Sequence, residues 1–348
     1  MRIFRPLQSG VQAAPYDMLF CGTDRFACAA LEALLAPALV RSVRVLTPPD
    51  VKHAWGASRM RVSPVKQLAQ RHGIEALEVP AAGLDALELP RAVRESPAPL
   101  LVTASFGHLV PRALLAQFRS PSHTLNLHPS LLPALRGAAP IQWAIARQLA
   151  TTGVSVQQLS VDAFDRGAIL GQEEVRIPDG ADYAALERLL ARRGADLLAR
   201  VVADLPGAHA RRREQDDALR TSAPKLQARH AHIRWGAWSA AAIDARLRAF
   251  AHALPLTTTL VPRKDGFRAA DVLVRSARAA DELDELRDAA PGEATFVPAL
   301  AAVAARCVHG TLLITQLQTR GKPARAAAEW WRGFRDRADA RGMVQFSE

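Results

Sequence analysis

Short apolar runs that alternate with helix-period segments through the first two hundred residues constrain this chain more than any other feature. Met18–Cys21, Val43–Leu46, Leu100–Ala104, Thr124–Leu127 and Val154–Leu159 read as strands. Between them Phe26–Leu35, Pro64–Arg71 closed by Gly73, Leu84–Arg94 and Pro111–Gln117 space their apolar residues by three and four, as helices do. Strand followed by helix, repeated, demands crossover connections. The expected fold class is therefore α/β, a mostly parallel sheet with helices on both faces and a ligand site at the carboxyl ends of the strands. A long helix over Tyr183–Asp204 closes this region, and a polar, charged stretch from Pro206 to about His232 follows. Beyond it lie one helix, Ser239–Phe250, and short β-prone runs at Thr257–Val261, Asp271–Val274, Ala294–Val297, Ala302–Val308 and Leu312–Leu317. Pro, Gly and Asp-Gly separate those runs, which predicts a small C-terminal β-barrel. The expected organisation is a leader or disordered extension over 1–17, an α/β domain over 18–204, a linker over 205–231 and a barrel-like domain over 232–348.

Charge adds a second constraint. The 348 residues carry 45 Lys and Arg against 34 Asp and Glu, a formal net charge of +11, so a polyanionic partner fits, although a compositional bias toward Ala and Arg would give the same excess. No stretch approaches the ~18 to 20 apolar residues of a membrane span, so no membrane partner is expected. Cys21, Cys28 and Cys307 are odd in number and show neither a Cys-x-x-Cys pair nor a His at ligand spacing. That excludes a disulfide framework and a structural zinc site as expectations and fits a reducing compartment. Residues 1–17 carry Arg2 and Arg5 with no acid before Asp17 and no secretory apolar core, as a short mitochondrial transit leader would; a disordered extension reads the same way.

The densest polar constellation is Thr124 to Pro140, TLNLHPSLLPALRGAAP. Side chains at i and i+2 leave a strand on one face, so Asn126 and His128 point together, a carboxamide donor beside an imidazole able to carry a proton. Pro129, Pro133, Gly137 and Pro140 bar both helix and strand from the segment after His128, which predicts a shaped loop beside the pair. A capping Asn and a buried His in an ordinary turn is the plainer reading of such a pair.

The run Asn126-Leu127-His128-Pro129-Ser130-Leu131-Leu132-Pro133, with Arg136-Gly137-Ala138-Ala139-Pro140-Ile141-Gln142 after it, closely resembles the signature of formyltransferases that use 10-formyltetrahydrofolate. Its ending resembles the methionyl-tRNA branch of that family. Further matches in family order are Phe20-Cys21-Gly22-Thr23, Ser63-Pro64-Val65-Lys66, Ser105-Phe106-Gly107, Phe164-Asp165-Arg166-Gly167, Ile233-x-Trp235 and Gly321-Lys322, so the resemblance covers roughly residues 18 to 338.

The resemblance implies a formyltransferase sheet that binds reduced folate and an oligonucleotide-binding-like barrel. Together they would move a formyl group from 10-formyltetrahydrofolate, as co-substrate and without a metal, to the amino group of methionyl initiator tRNA. It places the catalytic Asn, His and Asp on Asn126, His128 and Asp165, with Asp162 as the local rival of Asp165. Ser130, Leu131, Leu132, Pro133, Arg136 and Gly137 would form the folate-binding loop, and Lys52, Arg59, Arg61 and Lys225 would meet tRNA. The sequence departs from the family pattern by one extra residue between Gln158 and Asp165 and by Arg166 where a small hydroxyl residue is usual. A monomer in the mitochondrial matrix is expected, with the bacterial cytoplasm as the alternative. The competing activities are formylation of an amino sugar nucleotide, hydrolysis of formyltetrahydrofolate, and a non-catalytic RNA-binding paralogue.

Overall fold

The computed structural model describes residues 16–52, 60–118, 120–263 and 266–348. The chain divides into two compact units, one of residues 1–136, 153–175 and 187–222, the other of residues 137–152, 176–186 and 223–348.

In chain order the elements up to residue 210 are β1 (Tyr16–Gly22), α1 (Arg25–Leu34), β2 (Val40–Thr47), β3 (Val51–Lys52), β4 (Met60–Arg61), α2 (Pro64–Arg71), β5 (Ala76–Glu78), α3 (Arg91–Arg94), β6 (Pro99–Ala104), α4 (Arg112–Leu115), β7 (Thr124–His128), α5 (Pro140–Ala146), β8 (Thr151–Gln158), β9 (Ile169–Arg176), α6 (Tyr183–Ala203) and α7 (Leu205–Ala210). The first sheet has the order β5-β2-β1-β6-β7-β8-β9. Its strands from β5 to β7 run parallel, and β8 is antiparallel to β7. Every residue of β1 and β6 is buried, as central strands covered on both faces require. The chain winds outward from β1 to β5 and then returns to β6 on the other side of β1. The carboxyl ends of β1 and β6 are therefore the topological switch point at which open α/β sheets take ligands.

Three expectations change. Leu84–Arg94 is not one helix: a single 3-10 turn at Leu84–Ala86 is followed by α3. Pro90, which lacks an N–H and pushes the residue before it out of the helical region, separates them. Pro140 does not bar a helix. It occupies the start of α5, where a missing N–H costs no intrahelical bond. β5 and β9 add strands that periodicity did not reveal, β5 because it has three residues and β9 because Gln172, Glu173 and Glu174 interrupt its apolar pattern.

In the second unit α8 (Ala228–Ala231) and α9 (Ala240–Phe250) precede β10 (Leu256–Val261), β11 (Ala270–Ala280), β12 (Glu293–Val297), β13 (Ala302–Arg306), β14 (Thr311–Thr319), β15 (Arg325–Ala326), α10 (Ala327–Arg332) and β16 (Val344–Ser347). β11, β10, β16, β12, β13 and β14 pair antiparallel in that order, and β11 pairs again with β14, which closes a six-stranded barrel. Register shifts around Ser276 bend β11 so that it serves both neighbours. Trp235 fills the interior, stacked on Phe346 at 5.6 Å, with its indole N–H donated to Thr258 Oγ1 at 2.8 Å.

Asp17 ties the first unit together at the start of β1. Its buried carboxylate accepts from Arg41 on β2, from Ser42 Oγ at 2.7 Å and from Ser96 Oγ, just before β6, at 2.6 Å. Burial alone would push this carboxyl up, but the hydrogen bonds from Arg41, Ser96 and Ser42 overcome it and hold the group below the ordinary carboxylate range. A depressed carboxyl contributes stability that is present at neutral pH and lost as the pH falls through its folded value. Asp17→Asn is thus expected to lower stability at pH 7 by about 1.5–3 kcal/mol. Denaturant titrations in increasingly acidic buffer should show the gap to the parent chain closing.

Candidate active site

Asn126 and His128 leave the same face of β7, and the register of β8 sets Gln157 opposite Asn126 and Ser155 opposite His128. Directly opposed residues of an antiparallel pair share a face, so four polar side chains meet there. Thr103 on β6, the parallel partner of Asn126, donates its hydroxyl to Asn126 Oδ1 at 2.8 Å. With Oδ1 engaged, Nδ2 is the end of the carboxamide that can donate to a reacting oxygen. His128 Nε2 lies 3.1 Å from the Leu135 carbonyl, and Nδ1 lies 3.4 Å from Asp165 Oδ1. Both side chains are nearly buried, at 6% and 10% exposure, so ring plane and carboxylate are held in place.

Asp165 reaches His128 from the loop between β8 and β9. Its backbone is left-handed, φ 59°, and Gln157 Nε2 donates to its Oδ1 at 3.1 Å. Two residues on, a Cβ at Gly167 would stand 1.8 Å from the Gln158 carbonyl oxygen, so only glycine lets the loop press this close to β8. Asp162 is exposed on the same loop and pairs with Arg112 at 3.2 Å. The structure brings Asp165 to His128 and leaves Asp162 outside, and Arg166 is exposed.

The turn after β7 is built by hydrogen bonds rather than regular structure. Ser130 Oγ donates to the Ala134 carbonyl at 2.6 Å, Ser155 Oγ donates to the Ser130 carbonyl at 2.7 Å, and Leu132 N donates to Ser155 Oγ at 3.1 Å. The Leu132–Pro133 peptide is cis; Leu132 is buried, and Leu131 and Pro133 are half-buried. Arg136 is engaged by protein partners, its Nε and Nη2 at 3.0 and 2.7 Å from Gln215 Oε1 and its Nη1 at 2.5 Å from Asp217. Gly137 follows at φ 122°, and a Cβ there would lie 2.7 Å from the Ala223 carbonyl oxygen.

At the switch point Asp24 caps α1 through the Ala27 amide and accepts from Ser105, which follows β6. Burial pushes its carboxyl up. Asp24, Ser155, Gln157 and Gln215 are not among the residues that the sequence pattern singles out. The first three carried a signal: Asp24 follows a strand-ending Gly-Thr, and Ser155 and Gln157 interrupt a valine strand at i, i+2. Of the residues expected at tRNA, Arg61 is exposed on β4 and Lys225 is exposed in the second unit. Lys52 ends β3, but its side chain, Arg59 and the rest of 53–59 lie outside the described residues. Among the described residues no group of His, Cys, Asp and Glu could hold a metal ion, and no helix is long and apolar enough to cross a membrane.

Gly167→Ala is expected to push the Asp165 loop off β8 and break the Gln158 N–H to Ala168 carbonyl bond, 2.9 Å here. Hydrogen exchange at the Gln158 amide should then accelerate, while amides of β1 and β6 keep their protection.

Two family models match the chain: the formyl transferase model over residues 18–202 and the formyl transferase C-terminal domain over residues 225–335. A methionyl-tRNA formyltransferase of Nitratidesulfovibrio vulgaris is 31% identical over 94% of this chain and 96% of its own length. One from Corynebacterium jeikeium is 34% identical over 91% and 94%, and the human mitochondrial methionyl-tRNA formyltransferase is 34% identical over 70% and 59%. Among solved structures, the fold is shared by WlaRD, a sugar 3N-formyl transferase studied in the presence of dTDP and 5-N-formyl-THF. That match has a TM-score of 0.58 at 14% identity and covers 88% of this chain and 99% of that one.

Proposed function

Because the chain belongs to the formyl transferase family, we propose that it transfers the formyl group of 10-formyltetrahydrofolate to the amino group of methionyl initiator tRNA. The observation that carries the reading is the cluster of Asn126, His128 and Asp165 at the carboxyl end of β7, with the histidine buried and the other two half-buried. The named relatives that match along nearly the whole chain support tRNA as the acceptor, and the net charge of +11 agrees with a polyanion.

In the proposed reaction the methionyl amine attacks the formyl carbon, and the carbonyl electrons move onto oxygen. Asn126 Nδ2 donates to that oxyanion, and His128 Nε2 joins it as the substrate oxygen displaces the Leu135 carbonyl that this nitrogen faces here. The amine nitrogen then loses a proton and N10 of the folate gains one as the carbon–nitrogen bond breaks, giving formylmethionyl-tRNA and tetrahydrofolate. Asp165, through His128 Nδ1, orients the ring and balances its charge while these protons move. The turn from Ser130 to Gly137 is the proposed folate wall, with Leu131 and Pro133 offering apolar surface and Arg136 holding the turn's end in place.

We assign catalysis to residues 18–204 and tRNA backbone contacts to residues 232–348, with 205–231 as the connection. A monomer in the mitochondrial matrix, or alternatively in a bacterial cytoplasm, completes the proposal, since the named relatives include a human mitochondrial protein and proteins of bacteria.

Purified chain given 10-formyltetrahydrofolate should formylate methionyl-tRNA in preference to an amino sugar nucleotide or water. Transfer to the sugar, or hydrolysis alone, would overturn the reading. Asn126→Ala, His128→Ala and Asp165→Asn should each lower turnover roughly 10²-fold or more, with Asp162→Asn close to the parent chain.

Replacing Lys52, Arg59 and Arg61 together by Ala should reduce formylation more than tRNA affinity, because these cations are assigned the steering of the acceptor end toward His128. Affinity itself should fall with salt in proportion to the phosphates neutralised, as filter binding across a salt series would report.

A further inference from the structure

Gln215 lies in the stretch read from sequence as a linker, yet its side chain is inserted beneath the Asp165 loop. Its Oε1 receives both Nε and Nη2 of Arg136, at 3.0 and 2.7 Å. Its Nε2 faces the Gln157 Oε1 at 3.1 Å, the Asp165 carbonyl at 3.0 Å and the Gly167 carbonyl at 2.8 Å. The orientation of this amide is unambiguous. Guanidinium nitrogens only donate, so the atom they face has to be the oxygen; carbonyls only accept, so the atom they face has to be the nitrogen.

A directed chain of hydrogen bonds results. Arg136 donates to Gln215, Gln215 to Gln157, Gln157 to Asp165 Oδ1, and that oxygen lies 3.4 Å from His128 Nδ1. The same Gln215 nitrogen grips the backbone of Asp165, the residue held in the left-handed region, and the Gly167 carbonyl two residues on. Left-handed backbone is unfavourable for a side-chain-bearing residue and persists where surrounding contacts over-determine it.

We propose that Gln215 is a positioning residue for formyl transfer, which sets the Asp165 carboxylate against His128 and couples that placement to Arg136 at the end of the turn after β7. This rests on the proposed function. Gln215 touches neither substrate. It acts through Asp165, and its contribution should exist only while Asp165 is present to be positioned.

The experiment is a double-mutant cycle on the full chain, with Gln215→Ala, Gln215→Glu, Asp165→Asn and the two combined variants, assayed for formylation of methionyl-tRNA. Gln215→Glu keeps an acceptor for Arg136 and removes the donor to the two carbonyls, so it separates holding the loop from holding Arg136. Both single changes at 215 should lower kcat roughly tenfold to a hundredfold with KM for tRNA and folate little changed. In the Asp165→Asn background they should cost almost nothing further.

An equal loss in both backgrounds would assign Gln215 a general structural role and overturn the inference, as would near-parental kcat in Gln215→Glu. Thermal melts of each variant, with kcat read at a temperature where every variant is folded, separate loss of placement from unfolding. Near-parental activity of Asp165→Asn would instead refute the catalytic reading itself, a result separable from failure at Gln215.

Discussion

A polar face enclosed by a sheet has to find a partner for every donor and acceptor it carries, because each one left alone costs about 1–3 kcal/mol. The antiparallel pairing of β7 with β8 creates such a face from Asn126, His128, Ser155 and Gln157. Much of the surrounding construction answers that requirement. Thr103 engages Asn126 Oδ1, Ser155 and Gln172 stitch the turn after β7, and Asp165 folds back to meet His128. The site and the solution to its burial are made of the same side chains, which leaves few of them replaceable on either account.

The elements legible in the sequence were those whose burial is local and complete. β1 and β6 read as unbroken apolar runs because both faces are covered, and α1 read as a helix because Phe26, Ala30, Leu31 and Leu34 share one side. Leu84 to Arg94 misled because its buried apolar residues do not lie on one helix; Leu84, Leu89 and Val93 join one core cluster from a 3-10 turn, a loop and a short helix. Hydrophobic spacing reports which residues go inside, and only regular backbone turns that into an element.

At the site the alternation of β7 was sufficient to place Asn126 and His128 together, whereas Asp165 entered through family resemblance alone. No local pattern marks a residue whose partner is reached by a loop of left-handed backbone. Gln215 was less visible still, since Gln157 and Arg136 stand 58 and 79 residues away along the chain. A glutamine in a charged, proline-adjacent stretch has the composition of solvent-exposed chain. Only tertiary structure distinguishes it.

Closure of the barrel through β11 and β14 leaves its six strands hydrogen-bonded on both sides, and the first sheet treats its margins differently. β5 is three residues long, and β9 carries Glu173, Glu174 and Arg176, with the backbone of Arg213 bonded to Ile169 at 2.8 and 2.9 Å. Short, charged or covered margins deny another chain a template for strand addition. A chain with a net charge of +11 can therefore crowd against a polyanion without offering the margins of its sheets to a second copy.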